Sequence, residues 1–241
     1  MTTVVAALNR AARHCSISTP ASWAGATQKA HVELRDDFLP ETIDHILDRM
    51  DMPSPIGKQT TITGDGSESY SLPADFRRMQ RDPMAAYETT TLRRAGTPIT
   101  TDGVWTHVNQ IGGAGASRFF RVEGYPGTYT IKFEDDLATG NEVVVSYISN
   151  VWLASAGGAE QTEFMADDDV LYIPRRVVES GIVWRFRERR GLDFSTPLTQ
   201  YEAELSRLSN DARNARTIDF GGVSDDVLVM RVPTPNYIPD S

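Results

Sequence analysis

The spacing of apolar residues changes twice along this chain, and those changes restrict the folds open to it. Near the start Val4, Leu8, Ala11 and Cys15 recur at intervals of three and four, and Val32, Ile43, Ile46, Leu47 and Met50 mark a second such stretch. Intervals of this kind put side chains on one face of a helix. Residues 57–152 instead follow a period of two with frequent turn residues, the mark of strands that alternate faces. Helical spacing returns in residues 170–191, and again at Leu198, Tyr201, Leu205, Leu208, Ala212 and Ala215. This order predicts an α+β protein. The terminal helices are expected to form a helical bundle that carries an inserted antiparallel β domain, sandwich or barrel-like. The expected boundaries are 1–56 and 154–218 for the bundle, 57–153 for the β domain and 219–241 for an extended C-terminal arm.

Local signals refine the elements. Thr2 or Thr3 can cap the first helix with a side-chain oxygen. Pro40 lacks a backbone donor, so the second helical region should kink or restart near Phe38-Leu39, and Pro53 and Pro55 should end it. The segments Thr60-Thr61-Ile62-Thr63 and Ser69-Tyr70-Ser71-Leu72 flank Gly64-Asp65-Gly66, which predicts a hairpin. Strands around Phe119-Phe120-Arg121-Val122, Tyr129-Thr130-Ile131-Lys132-Phe133 and Val143-Val144-Val145-Ser146-Tyr147-Ile148 are expected to form an antiparallel meander. Residues 154–163 read as a linker of small residues, and Asp167-Asp168-Asp169 as the acidic start of a basic helix that ends at Gly191. Ser195 or Thr196, with Pro197 in the first turn, should open the last helix. Residues 80–117 carry no pattern that assigns them.

Composition removes several function classes. A net charge of −9 is a poor match to wrapped nucleic acid, whose phosphates are held by clustered Lys and Arg. The run Val4-Val5-Ala6-Ala7-Leu8 is too short for a signal-sequence core, so an intracellular protein without a membrane span is expected. Cys15 is the single cysteine, which rules out an intrachain disulfide and reads as a packed helix-end residue. Gly112-Gly113-Ala114-Gly115-Ala116 lacks the Lys-Ser/Thr ending of a phosphate loop and reads as a loop between strands. His14, His31, His45 and His107 lack zinc spacing, and neither Asp135-Asp136 nor Asp167-Asp168-Asp169 has the alternation of a calcium loop. No Gly-x-Ser-x-Gly elbow is present. No catalytic, cofactor-binding or metal residue is therefore assigned, and an enzyme is not expected.

The charge is unevenly placed. Glu33, Asp36, Asp37, Glu41, Asp44, Asp48 and Asp51 outnumber Arg35 and Arg49 in residues 31–52, whereas Arg175, Arg176, Arg185, Arg187, Arg189 and Arg190 face only Glu179 and Glu188 in residues 170–191. These opposed segments can meet within one subunit or across a subunit boundary. Arg175, Arg176, Arg185 and Arg189 on one side, and Asp36, Asp37, Asp44 and Asp48 on the other, are the candidates for contacts between subunits. Trp105, Trp152 and Trp184 read as core or interface anchors. The last residues combine Pro233, Pro235 and Pro239 with Val227, Leu228, Val229, Met230, Val232, Tyr237 and Ile238, more apolar surface than a solvated tail requires.

Three stretches in order resemble the head-to-tail adaptor proteins of tailed bacteriophages, the group that includes tail tubular protein A. They are Tyr70-Ser71-Leu72-Pro73-Ala74-Asp75-Phe76, then Val145-Ser146-Tyr147-Ile148-Ser149-Asn150-Val151-Trp152, then Ile182-Val183-Trp184-Arg185-Phe186 running through Gly191-Leu192-Asp193-Phe194 to Tyr201-Glu202. The resemblance covers roughly residues 2–222, departs in 80–117 and does not extend to the tail. It implies a virion protein at the head-tail junction, assembled in the host cytoplasm. Its partners would be further copies of itself in a ring, usually of twelve, the portal protein above and a downstream neck or tail protein below. DNA would transit the channel without specific binding. The tail is then expected to attach to the portal through Val227, Leu228, Val229, Met230 and Val232 as a strand or extended arm, anchored by Tyr237 and Ile238. The competing expectation is a β-sandwich that binds carbohydrate or a receptor on a helical stalk.

Overall fold

A computed structural model describes residues 2–81, 85–89, 96–111 and 118–214. Strand β1 (Thr2–Thr3) leads directly into helix α1 (Val4–His14), and Thr3 is its N-cap, accepting from the amide of Ala6 at 3.3 Å. Helix α2 (Lys29–Val32) runs into a π-helical turn (Glu33–Phe38) and then into α3 (Leu39–Arg49). At Phe38-Leu39, where a kink or restart is expected, the helical backbone runs on unbroken and changes from π to α, with Pro40 in the first turn of α3.

The middle of the chain supplies β2 (Gly57–Thr63), β3 (Ser69–Ser71), β4 (Phe76–Met79), β5 (Ala86–Glu88), β6 (Gly96–Pro98), helix α4 (Asp102–Ile111), β7 (Arg118–Glu123), β8 (Thr130–Phe133) and β9 (Glu142–Ser149). β9 organises one sheet. It pairs antiparallel with β2 from Gly57↔Ile148 to Thr63↔Glu142, and on its other side with β4 and then β5. A second sheet has the order β3-β8-β7-β6, its β6/β7 pair being parallel. The short strands β10 (Leu153–Ala154), β11 (Glu160–Gln161) and β12 (Val170–Leu171) join β1 in a third sheet, order β1-β12-β10-β11. Helices α5 (Arg175–Arg189) and α6 (Ser195–Asn214) complete a mixed α+β fold.

Four local expectations are corrected. β2 and β3 do not form a hairpin: β2 pairs with β9 and β3 with β8. The intervening turn is bonded to a different loop, with Gly64 N–H on the Asn141 carbonyl (2.7 Å) and Gly66 N–H on the Leu137 carbonyl (3.0 Å), so the two strands part into different sheets. The meander is only half present, because β7 and β8 pair while β9 belongs to the other sheet. The unassigned residues 80–117 contain α4, and the linker 154–163 contains part of the third sheet. The aspartate triplet does not cap α5, whose N-cap is Pro174. Asp167 instead accepts from the amides of Trp23 (3.0 Å) and Ala24 (2.9 Å), and buried Asp169 from those of Met165 and Ala166, tying two loops beside β12.

Two apolar cores result. One gathers α1, the π turn, α3, α5 and α6 around Leu8, Phe38, Ile46, Val178, Ile182 and Tyr201, and includes Trp23, Trp152, Leu153 and Leu171 from outside the helices. The other lies in the β region and contains Phe76, Phe120, Ile131, Phe133, Val143, Val145 and Tyr147. β9 reaches both: Val143, Val145 and Tyr147 pack in the second, and Ile148 in the first. α5 ends as expected at Gly191, whose φ of +67° suits glycine and lets Leu192 N–H reach back to the Arg187 carbonyl (2.9 Å). Among the described residues no helix is long and apolar enough to cross a membrane.

Candidate assembly surface

The opposed charged segments meet inside one chain. Arg189 contacts Asp37 (3.3 Å) and Glu41 (2.8 Å), and Arg190 contacts Glu33 (2.6 Å). Arg185 is buried, its guanidinium 4.5 Å from the Trp184 ring centroid and 5.6 Å from that of Tyr201, and it donates to the Gly181 carbonyl (3.1 Å) and Thr42 Oγ1 (3.3 Å). Asp36 pairs with Arg35, whose hydrogen bond holds the carboxyl below its ordinary range. Asp44 and Asp48 share Arg77, and Arg175 lies 4.0 Å from Glu179. Arg176 alone of the eight candidates has no ion pair among the described residues, and it is exposed.

Sequence reading missed the largest charged assembly, which joins α3 to β4. Arg77 donates to Asp48 (2.8 Å) and Asp44 (2.7 Å). Arg78 donates to the carbonyls of Leu47 (2.9 Å) and Met50 (2.6 Å) and to Asp51 (2.8 Å). Arg81 donates to the carbonyls of Arg49 (3.0 Å) and Asp48 (2.7 Å), and its own amide to Asp51 (2.9 Å). The last carbonyls of a helix have no partner within it and carry the negative end of its dipole, so planar five-donor guanidiniums satisfy both demands. The signal available was Arg77, Arg78 and Arg81 in sequence with Asp44, Asp48 and Asp51 near a helix end; nothing in the spacing said that they meet.

The three stretches that carry the family resemblance each hold a cross-link. Asp75 of the first accepts from Tyr147 Oη (3.1 Å) and Ser149 Oγ (2.8 Å) of the second, while its carbonyl accepts from Asn150 N–H (2.8 Å). Lys58 adds a charged donor to Asp75 (2.8 Å). Burial raises the Asp75 carboxyl, but the hydrogen bonds from Lys58, Ser149 and Tyr147 outweigh it and leave the net value low. Burial first, and the charge of Asp75 second, push Tyr147 up to about 12. In the third stretch Tyr201 is fully buried beneath Arg185, with its hydroxyl 2.7 Å from His45 Nδ1, and Arg49 pairs with Glu202 (2.8 Å). Burial, then the charges of Arg185 and Arg49, lower the His45 value.

Two surface depressions flank the helices. A cleft of about 530 Å³ lies between α3 and the segment after β9, lined by Leu39, Ile43, Trp152 and Phe164 with Asp36, Asp44 and Arg77 at its charged walls. On the other side a groove follows α5 between α1 and α6, where cavities of about 380 and 510 Å³ share Arg176 and Glu204. Within it Glu179, nearly buried, is approached by Arg10 (2.9 Å) and His14 (3.3 Å). Among the described residues no group of three or more His, Cys, Asp or Glu side chains is placed to hold a metal ion. Cys15 sits at the α1 C-cap, where burial, opposed by the charge of Arg187, pushes its thiol up to about 12. Trp105 and Trp152 are core residues and Trp184 is half-buried against Tyr201. The tail candidates Val227, Leu228, Val229, Met230, Val232, Tyr237 and Ile238, and the Gly112-Gly113 loop, lie outside the described residues. Neither a scan of protein-family models nor a search of curated proteins found a match to this chain.

Proposed function

We propose that this protein is a structural head-to-tail adaptor of a tailed-bacteriophage virion. In this reading it forms a ring of identical subunits, twelve in the family it resembles, beneath the portal protein, with a surface for a downstream neck or tail protein. The helices act as a bundle and residues 57–153 as the β domain it carries. One observation supports this reading above the others: the first two stretches that resemble the family are physically linked, Asp75 to Tyr147, Ser149 and Asn150, and the third is closed on itself and onto α3 by Tyr201 with Arg185 and His45. Residues spread through the chain are thus combined in the joints that hold its elements together, the arrangement a rigid building block requires. The acid excess suits a channel that DNA crosses without being held, since phosphate affinity depends on clustered cations.

The tail supplies the attachment in this reading. An arm that orders on binding loses roughly 1–2 kcal/mol per residue of backbone freedom, so it needs apolar anchors such as Val227, Leu228, Val229, Met230 and Val232, with Tyr237 and Ile238 at its end. The test is a mass measurement of the purified protein with and without its portal, repeated after deletion of residues 222–241. A ring that binds portal, and a folded truncated protein that does not, is the expected result. Undiminished portal binding by the truncated protein would overturn the role of the arm, and a full-length chain that neither self-associates nor binds portal would overturn the function.

A further inference from the structure

The groove along α5 is cationic on a chain that is acidic as a whole. Arg176 stands in the first turn of α5, at the positive end of the helix dipole, with no acidic residue in that turn. A cation there is disfavoured, and neither Arg176 nor Arg207 across the groove has an ion pair among the described residues. Arg10 and Arg175 add charge along the groove, Glu179 is already engaged with both, and Glu204 is the other carboxylate lining it, so four arginines face two glutamates. A cation excess that the chain balances only in part points to a partner outside it.

The complementary surface is on the same molecule but faces the other way. Asp44 and Asp48 stand four residues apart on the outer side of α3, beside Glu41 and Asp37, which Arg189 of the same chain already engages. Their side chains are 47%, 60% and 60% exposed for Glu41, Asp44 and Asp48. Arg77 uses Oδ1 of both aspartates, and a carboxylate can accept at either oxygen. α5 separates the two surfaces. Gly181 and Arg185 face α3, meeting Thr42, whereas Arg176, Glu179, Ser180 and Val183 line the groove. At about 100° per residue the groove residues lie roughly 160–260° around α5 from Gly181, on the opposite face. One chain therefore cannot satisfy its own groove with its own α3.

We infer that the groove between α1 and α6 receives the acidic outer face of α3 from a second copy, in a head-to-tail contact. The inference rests on the ring reading and names its interface. It also reassigns the basic side of that interface: Arg185 and Arg189 are occupied within the chain, and Arg176 and Arg207 take the intersubunit role. A heterologous contact of this kind uses two different faces of each subunit, so it propagates from copy to copy and gives a ring where the rotation between neighbours closes.

The test uses the full-length chain with Arg176→Glu and Arg207→Glu together, both solvent-side positions outside the apolar core. Association is measured by mass in solution across protein concentrations, with circular dichroism to check the fold. Wild type should self-associate less as salt rises, and the double variant should associate about tenfold more weakly or worse. A second measurement mixes an Arg176→Cys chain with an Asp48→Cys chain under mild oxidation. A mixed disulfide-linked dimer is expected, and Cys15 stays out of it because its thiol is held protonated. Full association by the charge-reversed variant, or no mixed dimer while the chains still assemble, overturns this interface and leaves the ring standing. A wild-type chain that stays monomeric at every concentration overturns the ring itself.

Discussion

Gly181 of α5 is packed closely against α3 and α6, and replacing it tests that packing. A Cβ at this position would lie 2.3 Å from Thr42 Cγ2 and 3.0 Å from Tyr201 Cε2. Thr42 cannot yield easily: it is fully buried, and its hydroxyl donates to the Phe38 carbonyl (2.6 Å) and accepts from Arg185 (3.3 Å). Two effects oppose each other in Gly181→Ala. Alanine in a helix interior gains about 1 kcal/mol over glycine. Overpacking a closed site costs about 1–3 kcal/mol or more, and here the obstacle is a β-branched side chain pinned at both ends. The net expectation is a loss of about 1–2 kcal/mol, or roughly 2–8 °C in melting temperature for a chain of this size. Thr42→Ser removes the clashing methyl and keeps the hydroxyl. Alone it should cost about 1 kcal/mol, yet in combination with Gly181→Ala it should recover most of the loss. Urea denaturation of the four proteins measures the coupling. A Gly181→Ala protein more stable than wild type, or a pair whose effects simply add, would refute the reasoning.

Arg78→Ala should destabilise by about 2–4 kcal/mol, since it leaves the carbonyls of Leu47 and Met50 and the Asp51 carboxylate without their shared donor; Arg78→Lys should restore only part of this in urea melts. His45 has a folded value below its ordinary 6.5, so it favours folding above that pH, and this contribution is lost as the pH falls through the lower folded value. A stability profile between pH 8 and pH 5 should decline in wild type and flatten on the acid side in His45→Gln. Cys15 should react slowly with a thiol reagent at pH 8 in the folded protein and quickly in urea, as followed by absorbance, because burial raises its thiol to about 12.

What the sequence made legible was local. The Thr3 cap, the Gly191 stop and the opening of the last helix at Ser195 depend on a few neighbouring residues, and each stands where the chain places it. The errors concern partners distant in sequence. Gly64-Asp65-Gly66 has the composition of a hairpin turn, yet its bonds run to Leu137 and Asn141, and no local rule encodes those. Asp167-Asp168-Asp169 has the composition of a helix start, but its side chains serve Trp23 and Ala24, far upstream. The candidate surface was half legible for the same reason. Charge counting located the acidic and basic segments, whereas only the folded arrangement distinguishes Arg189, occupied by Asp37 and Glu41, from Arg176. The arginine clasp on α3 was invisible because Arg77, Arg78 and Arg81 look in sequence like ordinary solvated cations.

The register of β2 against β9 has a consequence for how this chain can change. Gly57 lies opposite Ile148, so the start of β2 and the end of β9 stand side by side although ninety residues of chain separate them. Loops between them that touch neither β4 nor its arginine clasp on α3 can be lengthened or exchanged without moving those two strand ends. Natural variation and laboratory grafting alike can therefore rewrite such loops while the pairing of β2 with β9 stays in register.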